Sequence, residues 1–291
     1  MKIKNIKWWA VLFVSLIALL PLKAYADAAP GERIITLGED LSEEQKNMLL
    51  AEFNAPKDAD IVTVSNEEEH KYLGKYISAR LIGTRALSSS SITLGKQSSG
   101  LNVNTKNITW VTKDMYINAL ATAGVKDADI QISAPFEVSG TAALTGIIKA
   151  YEVTADKTIP EDVKQAANEE MVKTATLGDQ VGKEKASALI TKIKDEMAKN
   201  PPKTEEDIRS IIEQAAQDLG IKLTEQQIQS LLDLFQKLKD LNIDWKGVGQ
   251  ELGKAKEAVS NYLHSEEGQS FLDKLKQFFI SLIDAIKALF S

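Results

Sequence analysis

Hydrophobic positions are distributed in three ways along this chain: one dense apolar block at the start, short alternating runs through the first half, and helical stripes through the second. The block follows a basic start at Lys2, Lys4 and Lys7; residues 8–20 are apolar apart from Ser15. Pro21 and then Ala24-Tyr25-Ala26 place small residues where a signal peptidase reads its substrate, so cleavage is expected between Ala26 and Asp27. A spanning helix needs about 20 apolar residues, which makes a cleaved leader the better reading than an uncleaved anchor.

Residues 27–155 mix strand and helix signals. The β-branched run at 33–37 is followed by Ser42, with Gln45 three residues on, a capping box opening a helix whose apolar side carries Leu49, Leu50 and Phe53. Pro56 stops that helix, and 60–64 reads as a strand. The unit recurs. Thr112 caps a helix over 113–123, Gly124 ends it, and 129–132 is the strand that follows. The pentapeptide at 57–61 (KDADI) is identical to that at 126–130, so the chain reads as an internal duplication of a βαβ unit. Between the copies, 66–75 reads as helical, and 91–95 and 101–105 flank 97–100 in a hairpin pattern. Two βαβ units around a hairpin predict a ferredoxin-like α/β sandwich, closed by a helix over 139–151.

From Thr158 onward strand signals vanish. Helices are expected at 160–175, 179–199, 204–219, 224–241, 244–263 and 265–290, with a firm break at Asn200-Pro201-Pro202 and a second capping box at Thr224 and Gln227. Ile228, Leu231, Leu232, Phe235 and Leu238 form one apolar stripe. In the last helix Phe271, Leu275, Phe278, Phe279, Leu282, Ile286 and Phe290 share one face. Its charges forbid a membrane span. Packing into the helical domain is preferred to lying on a membrane surface. The expected class is α+β: a leader at 1–26, a duplicated α/β domain at 27–155 and an all-α domain at 156–291.

Composition narrows the chemistry. With no cysteine there is no disulfide, thiolate nucleophile or lipobox anchor. Without the four leader lysines, 31 basic residues face 41 acidic ones, a balance that does not attract nucleic acid. No wall-sorting motif ends the chain.

Tyr72-Leu73-Gly74, the run at 85–90 (RALSSS), Gly100-Leu101-Asn102-Val103, the run at 118–124 (NALATAG), the run at 134–146 (APFEVSGTAALTG) and that at 238–245 (LKDLNIDW) carry a family resemblance. The chain resembles domain-of-unknown-function family 1002, the YpuA-like exported proteins of Gram-positive bacteria, over nearly the whole mature length. The resemblance implies export and overall layout. It carries over no catalytic residue, cofactor or ligand.

Four constellations bear chemistry. Ser139, Gly140 and Thr141 at a helix start offer backbone N–H groups and two hydroxyls to a carboxylate or phosphate, or form an ordinary helix cap. Arg80 and Arg85 can fork onto the same kind of anion, or pair with Glu67-Glu68-Glu69. Glu67 and His70 share a helix face but two ligands make no zinc site. Asp240, Asn242, Asp244 and Glu251 match oxygen positions of a calcium loop, although Trp245 stands where that loop needs glycine and Asp244 also reads as an N-cap. No cofactor is implied.

The expectation is an exported protein of the cell envelope that acts by binding a protein, a wall component or the outer face of the membrane. An envelope hydrolase with a carboxylate- or serine-based site, and a purely structural role, are the alternatives.

Overall fold

The computed structural model describes residues 30–155, 157–241 and 243–266, and beyond these 268–270, 273, 276–277, 280–281 and 283. The leader expected at 1–26 lies outside the described residues, as do Phe271, Leu275, Phe278, Phe279, Leu282, Ile286 and Phe290 of the apolar face expected in the last helix.

Five strands form one mixed sheet. β1 (Arg33–Gly38), β2 (Asp60–Val64), β3 (Ser89–Leu94), β4 (Leu101–Ile108) and β5 (Ala128–Val138) stand in the order β2-β1-β3-β5-β4. β1 runs parallel to β2 and β4 to β5, while β3 is antiparallel to both its neighbours. Period-two patterning gives the sheet two faces. Ile34, Ile92, Ile130 and Val103 are register partners in turn and make one buried row across four strands. Ile35 and Leu37 point the other way and pack under α1 (Glu43–Glu52) against Leu49 and Phe53.

Local capping was read correctly. Ser42 and Gln45 form the capping box at the start of α1, and Thr112 accepts the Met115 N–H at the start of α4 (Lys113–Thr122). Both helices also end alike, on Asn54 (φ 49°) and Gly124 (φ 80°), with Ala55 N–H reaching Leu50 O at 2.9 Å and Val125 N–H reaching Leu120 O at 3.0 Å. Each end leads through the shared pentapeptide into the second strand of its unit.

The arrangement of the units is not the expected one. A ferredoxin-like sheet splits each βαβ unit with an intervening strand; here β1 pairs directly with β2, and β4 with β5. The two units are also inequivalent. α1 covers the face bearing Ile35, whereas α4 belongs to the cluster on the face bearing Ile34 and Ile130. Nor is there a β3–β4 hairpin, because β5 lies between those strands. Asp127 wedges them apart: its carbonyl accepts from Gly95 N–H at 2.6 Å and its side chain from Gly100 N–H at 2.9 Å, at the mouth of the turn.

α5 (Thr141–Thr154) crosses the sheet over β1, β2 and β3. A Cβ at Gly146 would stand 2.9 Å from Thr36 Oγ1 and from Val64 Cγ2, so the close approach needs glycine. Ahead of it in the chain come α2 (Asn66–Leu73) and the single turn α3 (Ala79–Ile82).

The second half is helical: α6 (Glu161–Val181), α7 (Lys183–Lys199), α8 (Glu205–Asp218), α9 (Glu225–Asp240), α10 (Trp245–Glu251) and α11 (Gly253–His264). The expected gap near 175–179 moves to Gly182, whose φ of 101° ends α6, and the helix expected over 244–263 breaks at Leu252. No described helix is long and apolar enough to cross a membrane.

The boundary near 155 does not separate two cores. The largest cluster joins Ile92, Ile130, Leu120 and Ile147 to Val163, Met171 and Val172 of α6 and on to Val248, Leu252 and Ala255. A second cluster is helical only, built from Leu189, Ile193, Ile208, Ile212, Leu231, Phe235 and Leu238. At the seam stands a polar group. Lys194 of α7, with no exposed surface, donates to Glu170 Oε1 of α6 at 2.9 Å, to Thr122 Oγ1 of α4 at 2.7 Å and to Asn118 O at 2.6 Å. Thr122 in turn donates to Glu170. Burial pushes the Lys194 ammonium below its ordinary range, against the pull of the Glu170 charge.

Candidate functional site

Two helix starts build the site. Ser65 caps α2, its hydroxyl accepting from Glu68 N–H at 3.2 Å while the Glu68 carboxylate accepts from Ser65 N–H at 3.0 Å. The next residue, Glu69, is turned inward and only 1% exposed. Thr141, the first residue of α5, donates to Glu69 Oε1 at 2.9 Å, and Asn66 Nδ2 donates to Oε2 at 3.1 Å.

Gly140 is the N-cap of α5, with φ 95°, and the helix starts two residues later than expected. Tyr116, wholly buried, donates its hydroxyl to Gly140 O at 2.5 Å. A Cβ here would lie 2.5 Å from both Ile108 Cγ2 and Tyr116 Oη, so the turn is closed to any other residue. Ser139 is thus no side-chain cap; its Oγ stands 3.2 Å from Thr141 Oγ1.

These residues face an open cleft of about 330 Å³. Its lining includes Glu69, Gly83, Thr84, Arg85, Ser139, Gly140 and Thr141, with Leu81, Leu87 and Phe136 as apolar wall. The Arg85 guanidinium sits 5.9 Å from the Phe136 ring centre. Burial, opposed by the bonds from Thr141 and Asn66 and reinforced by the charge of Asp40, raises the Glu69 carboxyl to a pKa of about 7.

Of the predicted anion-binding residues, the fold brings Arg85, Ser139, Gly140 and Thr141 to one cleft, and leaves Arg80 exposed and outside its lining. The ion pairs expected between these arginines and Glu67-Glu68-Glu69 are not formed among the described residues. Glu68 pairs instead with Lys149 at 2.7 Å, and Glu69 is held by the two neutral donors. His70 Nε2 lies 3.0 Å from Gly83 O. No group of three or more His, Asp or Glu suited to a metal occurs among the described residues.

The calcium-loop oxygens are engaged elsewhere. Asp244 caps α10 by accepting from Gly247 N–H at 2.9 Å and pairs with Lys126 at 2.8 Å; buried Glu251 accepts from Asp127 N–H at 3.1 Å; Asp240 accepts from Gln236. Asn242 lies outside the described residues.

Glu69 is the residue the sequence reading missed as part of this cleft. Its one signal is position: four residues before buried Leu73, it falls on the apolar side of α2.

A family model described as "Protein of unknown function (DUF1002)" matches residues 37–255. The chain belongs to this family. The matched span includes every cleft residue named above and runs across position 155, ending at Ala255, where the largest core cluster also ends. The chain is similar to a Bacillus subtilis (strain 168) protein described as "Uncharacterized protein YpuA", 53% identical over 285 residues that cover 97% of this chain and 98% of that one. No solved structure matches the chain.

Proposed function

We propose that this family member is an exported protein of the cell envelope that acts by binding, and that the cleft at the start of α5 receives an anionic group, a carboxylate or phosphate, on its ligand. The observation that carries this reading is Arg85. It is in no ion pair among the described residues and lines the same cleft as Ser139 and Thr141, at the N-terminus of a fourteen-residue helix. A guanidinium, the Ser139 hydroxyl and the N–H groups of Thr141 and Ala142 on one cavity suit an oxyanion; the Thr141 hydroxyl proton goes to Glu69 and Ala143 N–H to Ser88 Oγ. Glu69 sets the pH of binding. Protonated, it adds no repulsion; ionised above about pH 7, it opposes an anion in the same cleft. Export rests on the leader pattern at 1–26, and the acidic mature composition speaks against a nucleic-acid partner.

Titration calorimetry of the mature chain with acetate and with inorganic phosphate at pH 6 and pH 8 tests the site. Binding is expected at pH 6, weaker at pH 8, and lost in Arg85→Ala; heats indistinguishable from buffer at both pH values would remove it. Mass spectrometry of the envelope and medium fractions should find a chain beginning at Asp27. Co-sedimentation with purified walls and with liposomes then identifies the material that presents the anion.

A second reading, an envelope hydrolase, draws on one relay. Ser139 Oγ reaches Thr141 Oγ1 at 3.2 Å, and Thr141 reaches the Glu69 carboxyl at 2.9 Å, a chain of hydroxyls ending on an acid poised near neutrality. Neither histidine enters it. Covalent labelling of Ser139 by a fluorophosphonate, abolished in Glu69→Gln, would favour this reading over simple binding.

A further inference from the structure

We propose that the occupant of the Arg85 cleft is the carboxyl terminus of a peptide ending in an apolar residue, held in extended form along the free edge of β5. This rests on the anion-binding reading above and names the body that carries the anion.

The register of the sheet leaves that edge open. β3 and β5 pair from Leu94 opposite Ala128 to Ser89 opposite Ser133, and there β3 ends. β5 runs on over 134–138 with no strand on that side among the described residues. The chain entering β3 and the chain leaving β5 part at this point, and both line the cleft: residues from 81–88 and from 136–142 supply all of its lining but Glu69. No backbone hydrogen bond joins 84–88 to 134–138 among the described residues. A strand edge left unpaired beside a cavity is where an extended peptide adds as a further strand. Pro135 has no N–H, so donation from β5 to such a strand starts at Phe136.

The apolar groups beside the edge are uncovered. Leu81 and Phe136 line the cleft and remain 48% and 43% exposed. Bare acetate or phosphate makes no use of them. A peptide terminus uses every part of the cleft: its amides meet the strand edge, its last side chain covers Leu81 and Phe136, and its carboxylate sits one carbon away from that side chain. Charge complementarity selects the terminus over an internal segment, because Arg85 is exposed and in no ion pair among the described residues. The start of α5 follows β5 after two residues, so a carboxylate held at Thr141 N–H sets the peptide parallel to β5.

The test is titration calorimetry of the mature chain at pH 6 with acetyl-diglycyl-leucine as free acid and as carboxamide, with acetyl-triglycine, and with acetate, inorganic phosphate and octanoate. The leucine acid should bind about tenfold or more tighter than acetate or the glycine acid, the gain expected from burying one leucine side chain, and about tenfold or more tighter than its own carboxamide. Amide hydrogen exchange should slow within 136–138 with the leucine acid and not with acetate. Phe136→Ala, at an exposed position and so safe for the fold, should weaken the leucine acid more than the glycine acid. Binding of acetate or phosphate with no gain for the leucine acid would overturn the peptide assignment and leave the anion site standing; silence of every probe would remove the anion site as well. A carboxamide equal to the acid would overturn the terminus, and octanoate equal to the leucine acid would reassign the cleft to an acyl chain. Unchanged exchange at 136–138 would overturn strand addition.

Discussion

Lys194 Nζ lies 2.9 Å from Glu170 Oε1, and neither side chain has any exposed surface. The pair joins α6 and α7, and through Thr122 and Asn118 it holds both to α4 beneath the sheet. A buried pair of this kind gains little over apolar residues of equal volume, because each charge first loses its water. What it does is fix one arrangement of three helices. Lys194→Met should cost about 3–5 kcal/mol, since it strands the Glu170 carboxylate in the core. The double variant Lys194→Met with Glu170→Leu should be more stable than either single one. Urea midpoints of the four proteins decide it; additive losses would show that the two residues act independently.

Glu69 makes stability fall with rising pH. Its carboxyl titrates near 7 in the fold against 4.5 in the unfolded chain, so the folded state keeps a proton that the unfolded state releases between those values. The contribution is complete below pH 4.5 and is lost as pH rises through 7. A shift of this size corresponds to about 3 kcal/mol. Glu69→Gln should match the parent near pH 5 and exceed it at pH 8, measured by urea unfolding at both. A constant difference across that range would contradict the assignment.

Gly140→Ala should destabilise the protein by about 1–3 kcal/mol. The substitution strains a φ of 95° and drives a methyl into Tyr116 and Ile108. Because the same turn positions Ser139 and Thr141, anion binding at the cleft should weaken along with the thermal midpoint. Gly83→Ala, also at positive φ but with open space around the added carbon, should lose less.

Asp244→Ala should cost about 1 kcal/mol through loss of the α10 cap. Its pair with Lys126 adds little, both side chains being well exposed. Calcium should shift the midpoint of neither protein; a calcium-dependent rise in the parent alone would favour the metal reading of this loop.

What could be read from the sequence was what short segments decide for themselves. Ser42, Thr112 and Thr224 cap helices because their partners sit three residues away, and the stripe through Leu231 and Phe235 marks a buried face without help from elsewhere. The β3–β4 hairpin failed for the opposite reason. A turn forms within the expected 97–100 segment, Ser99 N–H reaching Lys96 O at 3.0 Å, but Asp127 bonds Gly95 and Gly100 on either side of it and β5 takes the place between the strands. Arg85 and Ser139 were visible as chemistry, and the helix expected from 139 begins at Thr141. Glu69 was hidden inside an acidic run that looks solvated, and Lys194 inside a lysine-rich helix. Both lie on the apolar side of their helices, beside Leu73 and between Ile190 and Met197, and that placement is the signal each carried.

The strand order also has a consequence in time. β1 is the first of the described elements to leave a ribosome, yet its neighbour β3 gains its second partner only when β5 arrives, and the core under both stays open until Ala255. Contacts so distant along the chain make folding slow and late. A chain synthesised from its amino terminus would complete this core only when nearly all of it had emerged.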